Sequence, residues 1–310
     1  RKDIELVAVN DTASRDMTKQ LLKYDSVHGT FGGDVEWLDD NYLQIGSSKV
    51  KMFSTRDAGE LDFARYGADV VLECTGAFLT QEKAQVFINM GAKKVLFSAP
   101  AKDDTPTFVL GVNEESYNGQ KIVSNASCTT NCLAPIAKVI DDMFGIQKGL
   151  MTTIHSYTND QNILDVKHSK DLRRARAAAL NIIPTTTGAA KAIGLVLPHL
   201  KGKLHGQSVR VPTPNVSMVD LNVLVSKDTT KDEVNAVLRA KAKGEMKGIL
   251  EFDEEFRVSA DFQTSSYSAV VAADLTQVVD KNMIKVMAWY DNEWGYTSRL
   301  LDMAIYISKN

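Results

Sequence analysis

Short apolar, β-favouring runs that alternate with helix-like spacing constrain the first half of this chain more than any other feature. Residues 4–9, 50–53, 68–73 and 94–98 read as strands, and residues 17–24 and 81–90 as helices. Such alternation argues for a mostly parallel sheet with helices on its faces, in which ligands lie outside the carboxyl ends of the strands. Those ends carry Asn10-Asp11, Thr75-Gly76 and Ser98-Ala99-Pro100. Asp11 is suited to accept hydrogen bonds from the adenosine ribose of a dinucleotide and to repel a 2′-phosphate, or simply to open a turn. The Gly-rich phosphate turn that stands ~20 residues ahead of such an acid is not in the sequence.

The second half changes character after residue 150. Residues 204–211, 216–225, 267–273 and 283–290 are strand-like, with helices at 187–197 and 231–242. Clustered strands suggest an α+β domain with a largely antiparallel or mixed sheet. Residues 293–308 return to helical spacing and are expected to pack back on the first domain. The expected fold is therefore α/β. A Rossmann-like dinucleotide-binding domain (1–127 and 292–310), without its N-terminal strand and Gly-rich turn, joins an α+β catalytic domain (128–291).

Composition removes several function classes. Of 310 residues, 36 are Lys or Arg and 39 Asp or Glu, for a net charge of −3, and no block of like charge stands out. Nucleic acid or a membrane surface as main partner is unsupported. No apolar run approaches the ~20 residues a membrane-spanning helix needs. Only three cysteines occur, which is no disulfide framework at this length, and a cytoplasmic location is expected.

One cysteine carries the chemistry. Residues 121–124 read as a strand, and Cys128 follows at the start of a helix running through Leu133, Ile136, Ala137 and Ile140. Free N–H groups and the positive end of the helix dipole favour a thiolate there and offer donors to an oxyanion. Ser127, Thr129 and Thr130 beside it make a poor apolar core. Cys132 is read as packing beneath Cys128, and Cys74 as a buried structural thiol. Such a nucleophile wants a base, and five histidines compete: His28, His155, His168, His199 and His205. His155 is the best placed, at the end of the β-rich run 151–154. Spacing alone does not show that it meets Cys128.

Residues 124–132 read Ser-Asn-Ala-Ser-Cys-Thr-Thr-Asn-Cys. They are joined by Thr-Ile-His-Ser-Tyr-Thr (153–158), Arg-Arg-Ala-Arg-Ala-Ala-Ala (173–179), Pro-Thr-Thr-Thr-Gly-Ala-Ala-Lys (184–191) and Trp-Tyr-Asp-Asn-Glu-Trp-Gly-Tyr (289–296). In order and over essentially the whole chain, these motifs resemble those of phosphorylating glyceraldehyde-3-phosphate dehydrogenases of glycolysis and gluconeogenesis. The resemblance implies that Cys128 attacks an aldehyde carbon and that His155 pairs with it and takes the hemithioacetal proton. The thioester left after hydride transfer to NAD is then cleaved by inorganic phosphate. It also assigns Thr158, Asp160 and Arg210 to the substrate phosphate, with Asp160 orienting Arg174. Ser127, Thr129, Thr187, Gly188 and Arg210 or Arg174 fall to inorganic phosphate. Asp11, Thr75, Ser98, Asn292 and Tyr296 match cofactor-lining positions, with Asn292 holding the nicotinamide carboxamide, and no metal is expected.

Thr12 and Val166-Lys167 depart from the usual bacterial glycolytic pattern and partly resemble dual-cofactor photosynthetic forms, so NADP use stays open. The Arg-rich segment 157–180 resembles the loop that lines a neighbouring subunit's cofactor site, which implies a homotetramer. The family opens with a strand, a Gly-Phe-Gly-Arg-Ile-Gly-Arg turn and a helix that this sequence lacks, and the sequence is expected to be trimmed from a longer chain. Two other readings share these motifs: an erythrose-4-phosphate dehydrogenase, which hydrolyses its thioester, and a cofactor-deficient binding protein of the same fold.

Overall fold

A computed structural model describes residues 1–310, and the chain divides into two compact units. The first comprises Arg1–Pro106, Tyr117–Asn125 and Asp302–Asn310. Its strands Val70–Glu73, Lys94–Phe97 and Ile122–Ser124 form an all-parallel sheet in that order. A second sheet runs Ala8–Asn10, Ser48–Phe53, Tyr42–Ile45, Val35–Trp37, its first pair parallel and the others antiparallel. Helix α1 (Arg15–Lys23) starts at Ser14, whose hydroxyl accepts from Met17 N, and α2 (Gln81–Asn89) starts at Thr80 in the same way. Val71, Val95 and Phe97 from the parallel sheet pack with Leu79, Ala84 and Phe87 around α2.

The antiparallel hairpin of Val35–Trp37 and Tyr42–Ile45 does not appear among the strands expected from sequence. Its arms are three and four residues long, too short for an alternation to register. They are joined by a polar turn in which Asp39 Oδ1 accepts from Asn41 N (2.7 Å) and Tyr42 N (2.9 Å).

The second unit comprises Thr107–Ser116 and Ala126–Leu301. An eight-stranded mixed sheet runs Ile183–Thr186, Leu204–Val211, Ile146–Ser156, Ser217–Val225, Met283–Tyr290, Ala269–Ala272, Leu250–Asp253, with Gln277–Val279 paired to Met283–Tyr290. Most neighbours are antiparallel. Ile146–Ser156 with Leu204–Val211 and Leu250–Asp253 with Ala269–Ala272 are the parallel pairs. The core of this unit joins α3 (Cys128–Phe144), α4 (Ala189–Val196) and α5 (Lys231–Lys243) to the sheet. Leu133, Ile136 and Ile140 of α3 meet Val219, Leu221 and Val286 of the strands there. Twelve of the seventeen residues of α3 are buried, so the helix that begins at Cys128 is a central strut rather than a surface cover.

The first unit regains the chain at Asp302. The opening turns of α6 (Trp294–Lys309) are tied within the second unit: Tyr296 donates to Ala126 O and Arg299 to Gly248 O. Gly295 is required there, because a Cβ would stand 2.7 Å from Tyr267 O.

Candidate active site

Cys128 is the first residue of α3, and Ser127 caps the helix with its hydroxyl accepting from Thr130 N at 3.1 Å. The preceding Ala126 is held at φ +57°, a left-handed conformation that alanine rarely adopts. Its carbonyl accepts from the Tyr296 hydroxyl at 2.9 Å. The turn so fixed aims the thiol at the helix N-terminus, where backbone N–H groups lack intrahelical partners.

His155 is the penultimate residue of Ile146–Ser156, and the parallel register sets it beside Arg210 of Leu204–Val211. Its Nε2 lies 3.6 Å from Cys128 Sγ. Its Nδ1 lies 2.7 Å from Ser156 O, an atom that can only accept, so the ring hydrogen sits on Nδ1 and the Nε2 lone pair faces the thiol. Arg210 Nη1 donates to the same carbonyl at 3.0 Å. Its 3.1 Å approach to Nδ1 is then one donor beside another, both turned to a shared acceptor.

Burial first, and then the Arg210 charge, press His155 down to about 4, against the opposing Ser156 bond. The imidazole is therefore neutral at ordinary pH and free to accept a proton. For Cys128 the helix terminus suggested a lowered value, but burial pushes the thiol up. The Thr129 hydroxyl, the Arg210 charge and the helix N–H groups pull it back only in part. The resting pair is a thiol beside a neutral imidazole, with Arg210 favouring the thiolate once the proton leaves.

Tyr290, a member of the motif 289–296 to which the sequence assigns no part, closes the site from below. Its ring stands edge-on to His155 with centroids 6.0 Å apart, and its hydroxyl lies 2.8 Å from both Thr129 Oγ1 and Thr153 Oγ1. Thr129 is buried, its hydroxyl placed between the Tyr290 hydroxyl and the Cys128 sulfur. Ser127, half-exposed, is held by its capping bond and by Thr130 Oγ1 at 2.8 Å.

Arg210 Nη1 also donates to Thr158 Oγ1 at 3.2 Å, while its Nε is buried with no partner in the chain. Asp160 receives Arg174 Nη1 and lies 3.4 Å from His168 Nε2. Arg174 is fixed further by Thr185 Oγ1 (3.0 Å) and Thr186 O (3.2 Å). The next residues, Thr187 and Gly188, open α4: Gly188 is its cap residue and Thr187 Oγ1 accepts from Ala189 N at 3.2 Å. Hydroxyls, guanidinium groups and a helix N-terminus suit anionic oxygens. No group of three or more His, Cys, Asp or Glu side chains forms a metal-binding arrangement.

The cofactor-side residues divide between the units. In the first, exposed Asp11 has Oδ1 on Ala13 N at 2.8 Å, which leaves the other carboxylate oxygen open. Thr75 and Ser98 follow adjacent parallel strands. Ser98 N donates to Glu73 O (3.0 Å), and the buried Glu73 carboxylate accepts from Thr75 N and Gly76 N. In the second, Asn292 Oδ1 accepts from Ser217 Oγ at 2.8 Å, and Tyr296 spends its hydroxyl on Ala126. Cys132 is fully buried, whereas Cys74 is exposed at its strand end rather than buried.

A family model described as glyceraldehyde 3-phosphate dehydrogenase, C-terminal domain, matches residues 127–292, and its NAD binding domain matches residues 1–81. A glyceraldehyde-3-phosphate dehydrogenase of Geobacillus stearothermophilus is 53% identical over 308 residues, covering 99% of this chain and 91% of that protein. The chain belongs to the glyceraldehyde-3-phosphate dehydrogenase family. Further members at similar distance are glyceraldehyde-3-phosphate dehydrogenase 2 of Nostoc sp. (53% over 309 residues, 99% and 91% covered) and a chloroplastic form of Arabidopsis thaliana (52% over 313 residues, 100% and 79% covered). The segment matching the family's C-terminal domain begins one residue before Cys128 and ends on Asn292, so it spans His155, Arg210, Tyr290 and Ser217 together.

Proposed function

We propose that this chain oxidises D-glyceraldehyde 3-phosphate to 1,3-bisphosphoglycerate with NAD and inorganic phosphate, as a step of glycolysis and gluconeogenesis. The observation that carries the reading is the bare Nε2 of a neutral His155 standing 3.6 Å from Cys128 Sγ. His155 Nε2 takes the thiol proton as Cys128 adds to the aldehyde carbon and returns it to the oxyanion, which the Cys128 N–H at the helix start is positioned to stabilise, giving the hemithioacetal hydroxyl. His155 Nε2 then accepts the hydroxyl proton of the hemithioacetal as the aldehyde becomes a thioester on Cys128. NAD, when bound, supplies the hydride acceptor for that step.

The chain's groups fit such a cofactor. Asn292 presents an amide whose Oδ1 is already taken, Asp11 keeps an open carboxylate oxygen for ribose hydroxyls, and Thr75 and Ser98 follow the ends of adjacent parallel strands. Arg210, with its unpartnered Nε, together with Thr158 would hold the substrate phosphate. Ser127, Thr129, Thr187 and Gly188, with Arg210 or with Arg174 steadied by Asp160, would receive the attacking phosphate. A cofactor-binding domain of residues 1–127 and 292–310 and a catalytic domain of 128–291 remain our functional division.

Assembly as a homotetramer is supported by exposed apolar side chains in one segment: Ile163, Leu164, Leu172, Leu180 and Ile182 are each at least 70% exposed. A cytoplasmic setting is supported by three cysteines that form no disulfide. No helix is long and apolar enough to cross a membrane.

The test follows NAD reduction by its absorbance with glyceraldehyde 3-phosphate, with and without inorganic phosphate. Steady turnover that requires phosphate supports the proposal. Turnover indifferent to phosphate would point instead to hydrolysis of the thioester, as an erythrose-4-phosphate dehydrogenase performs.

A further inference from the structure

We infer that Ser217 is a positioning residue that fixes the side-chain amide of Asn292 and ties it to the strand carrying His155. The inference rests on the reading of Asn292 as the group that meets the nicotinamide end of the cofactor.

A serine hydroxyl has one hydrogen to give and two lone pairs. At Ser217, 1% exposed, one lone pair accepts from Ser156 N at 3.0 Å, and the oxygen lies 2.8 Å from Asn292 Oδ1. A carbonyl oxygen can only accept, so the Ser217 hydrogen is committed to Asn292. In this arrangement Oδ1 faces Ser217, and Nδ2, which no group of the chain takes up, is presented as the donor. Ser156 immediately follows His155, so one hydroxyl links the base's strand to the cofactor amide.

The surroundings hold Ser217 where this needs it. Val216 adopts φ +67°, a costly conformation for a β-branched residue. Ser156 grips that turn twice, by N–H to Ser217 Oγ and by Oγ–H to Val216 O at 2.8 Å. On the other side the Asp291 carboxylate, 1% exposed, frames Asn292. Its Oδ2 accepts from Asn215 Nδ2 (2.9 Å) and Thr264 N (2.8 Å), and its Oδ1 from Glu293 N (2.9 Å) and Trp294 N (2.8 Å). Asn215 thus hangs from the carboxylate of the residue that precedes Asn292, while Ser217 bonds Asn292 itself. A strained turn held by several buried hydrogen bonds is built to keep one geometry.

The test measures Kd by quenching of tryptophan fluorescence for NAD and for ADP-ribose, which lacks nicotinamide, in Ser217→Ala, Asn292→Ala and the double variant. Expected is an NAD Kd about tenfold higher in Ser217→Ala, ADP-ribose binding unchanged, and a double variant no weaker than Asn292→Ala alone. Ser217→Cys keeps an acceptor for Ser156 N but donates poorly. It is expected to show the same pattern and serves where the alanine variant does not accumulate folded. Equal loss of NAD and ADP-ribose binding would make Ser217 a general structural residue and overturn the inference. Weak NAD binding in Asn292→Ala, with no such weakening in either Ser217 variant, would overturn it while leaving the reading of Asn292 intact. Normal NAD binding in Asn292→Ala would remove that reading and the inference with it.

Discussion

The strand ends of the second unit and those of the first are built to different specifications. Around Cys128 the functional groups are buried and mutually bonded: His155 is 4% exposed, Tyr290 2% and Ser156 fully covered, and each makes a hydrogen bond inside the chain. At the ends of the first unit's strands, Asp11 and Thr75 are exposed and bonded to their own turns, and Ser98 is half-exposed and bonded to the neighbouring strand's Glu73 O. Bond-making chemistry needs groups fixed in a low-dielectric setting before the substrate arrives. A dinucleotide laid across strand ends needs reachable groups instead. Substitutions in the buried cluster should therefore strike turnover, and those at the first unit's turns should strike affinity.

The largest separation is expected from Cys128→Ser, which should lower kcat by about four orders of magnitude or more while NAD affinity, read by fluorescence, changes little. Next comes His155→Asn, with a loss in kcat of about 10²- to 10⁴-fold. The same variant carries a stability signature. His155 titrates near 4 when folded and near its ordinary 6.5 when unfolded, so between those values the unfolded chain binds the extra proton. Stability contributed by the neutral ring is then present above pH ~6.5 and lost as pH falls toward 4. Over that window the wild type should lose about 3 kcal/mol more than His155→Asn in urea unfolding. Parallel pH curves for the two proteins would mean that the ring is not buried neutral.

Arg210→Ala should raise the Cys128 pKa, because the charge that favours the thiolate is gone. Less thiolate at fixed pH means slower alkylation, about tenfold slower for every pH unit by which the thiol's titration moves up, measured with iodoacetamide across a pH series. The smallest effect is expected in the first unit. Asp11→Asn keeps an acceptor for Ala13 N but removes the charge, so NAD affinity should fall about fivefold while that for NADP rises, with kcat nearly unchanged. A large kcat loss from Asp11→Asn would break the contrast between the two regions.

How far the site can be read from sequence follows the range of its interactions. Cys128 is legible because a strand, a serine cap and an apolar helical stripe follow one another within a few residues. His155 is legible as a strand-end histidine, though it lies inside the strand and owes its tautomer to the Ser156 carbonyl, which no residue type reveals. Tyr290 and Ser217 go unassigned because their parts are set by partners 137 and 161 residues away for Tyr290 and 61 and 75 for Ser217. The only signal is the tyrosine's place in the motif 289–296. The thiol's protonation runs against the local expectation for a related reason: the helix N-terminus is local, whereas the burial that outweighs it comes from the packed sheet and helices. In the first unit the α2 region is legible nearly to its ends, while the short Val35–Ile45 hairpin, stabilised by turn bonds rather than periodicity, is not.

The most direct measurement is mass spectrometry of the peptide that carries Cys128, from protein mixed with NAD and glyceraldehyde 3-phosphate and quenched in acid. Without inorganic phosphate, a phosphoglyceroyl adduct should accumulate on Cys128 and on no other residue, and adding phosphate before the quench should discharge it. An adduct on another residue, or one on Cys128 that phosphate leaves in place, would contradict a phosphorylating mechanism through this thiol.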